Sequence, residues 1–436
     1  MRNLEPARFA LVVIFAINLL NYFDRTLFGA LAEPIRKEWT LSDSQVGWLA
    51  TAFILLYAVV GVPLGRLSDR WSRPGILSAG VAVWSLLTAT SGLAWNYAAL
   101  FAARLGVGIG EASCAPASNS LIGDFYPAKA RARAVSFFMM GLPIGNFASV
   151  FVGGWLASLY GWRTVFYLSC IPGLMLAILA LRISEPPRGA AETASAAGRL
   201  PEGSPYWFVL RIPTMSWIII SGIFLNFNTY TLGTFLPAFL SRYHRLNLKD
   251  ANSIAAIVFG AVGVLGLLLG GWGADYARKR RPNGRLLLGS MTLLVAAPSM
   301  YWALEQAPGR LVVFSVLMGF GVMLTYVYYS TVFPAIQDIV PPSLRATGMA
   351  LYFFAMYLLG GSLGPVLTGK LSDYFTRSAM LSTGTTSITE SFRATGLHSA
   401  MYVIPLCSLI VAVVLFIAAC FVAKDMKNLA RWMDQA

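Results

Sequence analysis

The chain has 436 residues, 57% of them hydrophobic and 12% charged, and a net charge of +14. A soluble domain carries about 25% charged residues, so a single water-soluble core is excluded, and apolar runs of about 20 residues point to membrane helices instead. The basic excess is scattered over loops and forms no stripe, which argues against nucleic acid as a partner.

In chain order, the first apolar run is long and no small-residue cleavage site follows it, so no removable leader is expected. Twelve spans are predicted, at 8–35, 44–68, 75–95, 97–123, 131–160, 162–183, 213–241, 250–276, 284–305, 308–337, 343–374 and 396–423. Between the sixth and seventh, "SEPPRGAAETASAAGRLPEGSPYWFVLR" is rich in Pro, Gly, Ala and Ser and reads as a linker. The expected organisation is a six-helix bundle over 1–183, a linker over 184–212 and a second six-helix bundle over 213–436. With an even number of spans both termini share one side. Placing them in the cytoplasm puts about 21 Lys and Arg in inside segments against about ten outside, so both ends are expected there. Cys114, Cys170, Cys407 and Cys420 all fall in apolar segments without CxxC spacing and read as small buried hydrophobes. No metal-ligand cluster and no phosphate-binding glycine loop is present, so neither metal nor cofactor is expected.

The two halves repeat. Gly65 and Asp69 of "GRLSDR" match Gly271 and Asp275 of "GWGADY" at a shift of 206. "DFYPAKARA", from Asp124, matches "DIVPPSLRA", from Asp338, at a shift of 214. "NYFDRTL", from Asn21, matches "NFNTYTL", from Asn226, at a shift of 205. Parallel repeats of this kind place a substrate site near the bilayer midplane between the halves.

The third match is the informative one. Asp24 and Arg25 become Thr229 and Tyr230, so the fold does not require charge at that place. A charge at the centre of a span costs about 2.5–3.5 kcal/mol on insertion scales, which makes the charged copy a candidate for function. On the fourth span Arg104 and Glu111 are seven residues, about two turns, apart and share a helix face with Gly108 and Ala112. Asp24, Arg25, Arg104 and Glu111 form two acids and two bases able to compensate one another, either as a proton-coupling cluster or as a structural ion-pair network. In the second half, Asn226, Asn228, Thr229 and Tyr230 offer neutral polar contacts, and "TYVYYS" and "LYFFAMY" add Tyr326, Tyr329 and Tyr357. With Asn21, Tyr22, Arg25 and Arg104 these are the candidate substrate contacts: a charged side facing an aromatic, neutral one.

"GVPLGRLSDRWSR" resembles the loop signature of the major facilitator superfamily in Gly65, Leu67, Asp69, Arg70 and Arg73, with Ser72 in place of the usual glycine. That resemblance implies an all-α membrane fold of twelve helices in two pseudo-repeats and a cytoplasmic gate at Gly65, Asp69, Arg70, Arg73, Arg131 and Asp275. "NYFDR", "RLGVGIGEAS…P", "DFYP…RARA" and "GLPIGN…GGWLASLYGWR" together resemble the bacterial branch of the Spinster family. The implied function is proton-linked transport of a lysophospholipid or sphingosine-phosphate-like lipid by alternating access, by a multi-pass monomer of a bacterial inner membrane. Asp24, Arg25, Arg104 and Glu111 are the positions carried over. A small organic anion as substrate, and a non-transporting receptor or scaffold, remain alternatives. No nucleophile is paired with a base, so no enzyme is expected.

Overall fold

The computed structural model describes residues 4–68, 71–187, 204–341 and 344–434. The described residues are almost entirely helical and contain twelve helical stretches long and apolar enough to cross a membrane. Asp69 and Arg70 lie outside them, as do residues 188–203 of the linker, and the side chain of Arg131 is likewise not described.

The chain divides into two compact units. One gathers the residues ahead of the linker together with Thr234–Ser241 and Leu246–Ala256; the other gathers 204–233, Arg242–Arg245 and Ile257 onward. Two short stretches from beyond the linker therefore group with the first unit.

The first unit begins with α1 (Leu4–Trp39) and α2 (Asp43–Ser68). α3 (Arg73–Gly92) starts behind Ser72, whose hydroxyl accepts from Gly75 N at 3.3 Å, and has Pro in its first turn, where no donor is missed. The fourth span is made of α4 (Tyr97–Glu111), capped by Asn96, and α5 (Cys114–Phe125). The fifth is made of α6 (Ala128–Met139) and α7 (Gly141–Tyr160). Gly161 adopts φ +79°, which a side chain would resist, and turns the chain into α8 (Trp162–Leu181). The core of this unit joins Ile14, Ile17, Leu77, Trp84, Val107 and Leu121 from three spans.

After the short α9 (Pro205–Leu210), α10 (Pro213–Arg242) forms the seventh span. The eighth is α11 (Leu248–Ala256) and α12 (Val262–Arg280), joined by a π-helical turn at Ile257–Ala261. α13 (Gly284–Leu304) and α14 (Leu311–Ile339) are followed by α15 (Arg345–Ala355) and α16 (Leu363–Ser382), joined by a second π-turn at Met356–Gly361. α17 (Glu390–Met401) and α18 (Val403–Asp434) form the last span. Within the first unit, α11 packs on α7: Gly154 lies under Asn252, whose amide donates to Ala30 O at 3.3 Å.

Three of the cysteines are buried as expected of small hydrophobes, but Cys420 is exposed on α18. It lies in an apolar stretch, and in a membrane helix an apolar stretch faces lipid as readily as core.

Candidate functional site

α1 carries Asn21, Asp24 and Arg25 into the interior of the first unit, where all three are buried. α4 brings Arg104 and Glu111 to the same place, both with no exposed surface. Arg25 donates its Nε–H to Glu111 Oε2 at 2.9 Å, and Asn21 stands beside the same carboxylate. The other Glu111 oxygen accepts no hydrogen bond.

The cluster is not a square of two ion pairs. Both oxygens of Asp24 and all three nitrogens of Arg104 are buried without a hydrogen-bond partner. Asp24 is within electrostatic reach of Arg104 and Glu111, and the Trp84 indole lies beside it without a bond of good geometry. One pair is closed and one acid and one base are left open. Orphaned buried polar groups are rare and call for a ligand, a water or a role in mechanism.

α2 completes the site with residues that the motifs did not single out. The Arg25 guanidinium lies over Tyr57 at 4.4 Å, Tyr22 at 5.2 Å and Phe53 at 5.9 Å, and Arg104 lies over Phe53 at 5.3 Å. Close crossing of α2 and α4 makes this possible. A Cβ on Gly108 would stand 2.1 Å from Phe53 O, so only glycine fits without a shift. The signal was in the sequence, because Gly108 lies on the helix face of Arg104 and Glu111, but its partner helix could not be named from one chain. A cavity of roughly 450 Å³ lined by Leu67, Trp71, Ile76, Val83 and Ile109 also lies in this unit. It is apolar and holds none of the charged cluster.

In the second unit the neutral candidates divide by what they touch. Asn226 donates to Met356 O at 2.9 Å, at the second π-turn, and Asn228 donates to Ile404 O at 3.0 Å and Ser408 Oγ at 2.9 Å. Thr229 returns its hydroxyl to Leu225 O at 3.1 Å. The Tyr326 hydroxyl donates to Phe259 O, at the first π-turn, at 3.3 Å. Asn226, Asn228 and Tyr326 thus tie spans together, whereas the Thr229 bond stays within α10. Tyr230, Tyr329 and Tyr357 are half-buried and belong to a connected aromatic array: Tyr230 meets Tyr357 at 6.4 Å, Tyr357 stacks on Phe353, and Tyr329 meets both Tyr326 and Phe333. Beneath it a hydroxyl chain missed in the sequence runs from Ser221 to Tyr328 (2.7 Å) and on to Tyr352 (3.2 Å).

Of the gate candidates, Arg73 is buried at the start of α3 and acts as a hub. It pairs with Asp124, donates to Glu185 Oε1 at 3.1 Å from both Nε and its backbone N–H, and donates to Pro186 O at 2.8 Å. The second unit repeats this corner. Arg285, at the start of α13, donates to Asp338 at 2.6 Å and reaches Asp275 at 3.4 Å, while Arg278 reaches Asp338 at 3.4 Å. Asp124 and Asp338 were visible as repeat-matched residues; their arginine partners were not. Gly65 lies within α2. Among the described residues no group of His, Cys, Asp and Glu could hold a metal ion.

The profile of the Major Facilitator Superfamily matches residues 14–365. The chain is 31% identical over 373 residues to an MFS-type efflux pump of Mycolicibacterium smegmatis, covering 84% of this chain and 85% of that one. It is 31% identical over 403 residues to human protein spinster homolog 1, covering 86% and 75%. A crystal structure of a bacterial homolog to the human lysosomal transporter Spinster, inward-facing and unoccupied, superposes with a TM-score of 0.81 at 28% identity, over 99% of this chain and 98% of that one.

Proposed function

The chain belongs to the Major Facilitator Superfamily and is a multi-pass membrane transporter related to Spinster proteins and efflux pumps; from that premise we propose that it moves an amphipathic anionic lipid of the lysophospholipid or sphingosine-phosphate kind, coupled to protons, by alternating access. The observation that carries the reading is the open half of the first unit's cluster: a buried arginine, Arg104, with no acceptor and a buried carboxylate, Asp24, with no donor. An anionic head group is the acceptor Arg104 lacks. A proton is the partner Asp24 lacks. Within the second unit, the neutral aromatic array of Tyr230, Tyr329 and Tyr357 is surface of the kind an acyl chain favours.

Coupling follows from exchange of partners. When Glu111 is charged it holds Arg25. When it takes a proton, Arg25 is released and becomes available to an anion. Asp24 supplies a second carboxylate in electrostatic reach of the same groups. The basic loops support a cytoplasmic location for both termini, and the proposed setting is a monomer in a bacterial inner membrane. Gly65, Asp69, Arg70, Arg73, Arg131 and Asp275 belong, on this reading, to gate loops on that side.

The test is uptake into proteoliposomes of radiolabelled lysophosphatidylglycerol against gluconate, with and without a pH gradient. Gradient-dependent lysolipid flux supports the proposal. Flux of gluconate alone would give the site to a small organic anion, and binding without flux of either would make the chain a receptor.

A further inference from the structure

Two guanidinium groups share one small buried space in the first unit, and one bonded carboxylate serves them. Arg25 holds Glu111, and Arg104 bonds to nothing. Like charges so placed repel, and an apolar wall would do nothing to offset that repulsion. The wall presented by α2 is aromatic. Phe53 has Arg25 at 5.9 Å and Arg104 at 5.3 Å from its centroid, and Tyr57 has Arg25 at 4.4 Å, the shortest of these distances. The face of an aromatic ring is electronegative and attracts a cation, and a planar guanidinium stacks on it well.

We propose that Phe53 and Tyr57 are positioning residues for the coupling step: Phe53 lets the two arginines stand side by side, and Tyr57, already beneath Arg25 while Glu111 holds it, is the seat that keeps Arg25 in place when Glu111 lets go. The inference deepens the proton-coupled reading and rests on it. Among the described residues, those facing Arg25 include Glu111 from α4, Cys114 from α5, Tyr22 from its own helix and Phe53 and Tyr57 from α2, with Arg104 across the Phe53 ring. Of these, Glu111 is the group whose hold on Arg25 a proton would release, because a protonated carboxyl no longer offers the guanidinium a charge. A ring holds a cation without hydrogen bonds and so lets it go without leaving a donor or acceptor orphaned. That suits a seat that keeps the cation while its carboxylate partner is exchanged. Gly108 fixes the arrangement, since any side chain there would push Phe53 away from α4.

Glu111→Gln imitates the protonated acid: it takes the bonded carboxylate from Arg25 and leaves the rings in place. The purified full-length protein is therefore compared by thermal unfolding in four forms: wild type, Tyr57→Leu, Glu111→Gln and the double variant, with Tyr57→Phe made in both backgrounds. The expected loss of melting temperature from Tyr57→Leu is about twofold larger in the Glu111→Gln background, while Tyr57→Phe, which keeps the ring, resembles tyrosine in both. Equal losses in the two backgrounds would reduce Tyr57 to packing and overturn the seat. So would a Tyr57→Phe variant as impaired as Tyr57→Leu, because the hydroxyl rather than the ring would then be the active part.

In vesicles carrying lysophosphatidylglycerol, Tyr57→Leu should lower gradient-driven flux about tenfold and shift the pH at which it is half-maximal, with Tyr57→Phe restoring both. Wild-type pH dependence in Tyr57→Leu would also count against the seat. A wild-type protein whose flux ignores pH would instead remove the proton-coupled reading, leaving the thermal comparison to decide the ring contact by itself.

Discussion

Arg25 Nε stands 2.9 Å from Glu111 Oε2, whereas Arg104, two turns before Glu111 on the same span, meets no acceptor. The first span's charges are divided in the same way, with Arg25 bonded and Asp24 unbonded. The consequences of neutralising each acid should therefore differ, and the difference is measurable.

Glu111→Gln removes the carboxylate to which the buried Arg25 guanidinium is bonded. Breaking a buried pair from one side costs about 3–5 kcal/mol, because the surviving charge is left uncompensated. The loss should lie toward the lower end here, since the rings of Phe53 and Tyr57 remain. Arg25→Gln combined with Glu111→Gln should recover part of it. Denaturation in detergent measures all three, and simple addition of the single losses would show that the two side chains do not act as a pair.

Asp24→Asn breaks no hydrogen bond. Its stability should stay within about 1 kcal/mol of wild type. Gradient-driven lipid flux should nevertheless fall to background, while exchange of lipid at equal pH on both sides persists. Unaltered gradient dependence would assign the coupling elsewhere.

Arg73 and Arg285 occupy matching corners of the two units but are buried to different degrees. The Arg73 side chain is 1% exposed, and the Arg285 side chain is 17% exposed and bonded to carboxylates at 27% and 74%. Arg73→Ala should cost about 3 kcal/mol or more, and Arg285→Ala about 1 kcal/mol, since exposed pairs are screened. Equal losses in chemical denaturation would contradict the burial argument.

Gly108→Ala forces the α2 backbone at Phe53 to move and should lower the yield of folded protein and the melting temperature sharply. Gly123→Ala, where nothing lies within 4 Å, should be neutral or stabilising by about 0.5–1 kcal/mol. Size-exclusion profiles and melting curves of the two variants make the comparison.

His244, in the turn after α10, is pushed down from its ordinary 6.5 to about 4, first by burial and then by the neighbouring His398. Its Nδ1 accepts from Gly309 N at 3.4 Å, and its ring packs against Tyr243 and Phe314. The folded state therefore binds fewer protons at this site than the unfolded state between those two values. The stabilisation is complete above about pH 6.5 and is lost as the pH falls toward 4. His244→Phe should flatten the decline of melting temperature over that interval. An unchanged slope would place the acid sensitivity in other groups.

The sequence disclosed the spans and the charged cluster for the same reason: both are written in residue type at helical spacing. Apolar length marked the twelve membrane-spanning stretches, and four charges inside them marked the site. The comparison of Asp24-Arg25 with Thr229-Tyr230 separated charge from fold requirement without any structure. What stayed hidden depends on which helix faces which. Phe53 and Tyr57 are ordinary aromatic residues until α2 is laid against α1 and α4. Arg73 belongs to a loop motif, yet it bonds to Asp124 on another span and to Glu185 on the linker side. Asn226 and Asn228 looked alike in "NFNTYTL", but two residues along a helix turn the side chain by about 200°, so one reaches the eleventh span and the other the twelfth. The grouping of Thr234–Ser241 and Leu246–Ala256 with the first unit is likewise a tertiary fact, with no trace in composition.

The π-turns at Ile257–Ala261 and Met356–Gly361 each house one residue more than an α-helix would use over the same rise. Each is therefore a place where the chain has absorbed an insertion while keeping both flanking helices in phase. A one-residue deletion elsewhere in these spans would rotate one end against the other by about 100° and turn its lipid face inward. A deletion inside a π-turn would restore regular helix and leave the neighbours in register. What it would remove is the local carbonyl geometry at Phe259 and Met356, and with it the acceptors of Tyr326 and Asn226. Length variation in such proteins should thus concentrate at these two turns, and shortened forms should carry a non-donor at 226 or 326.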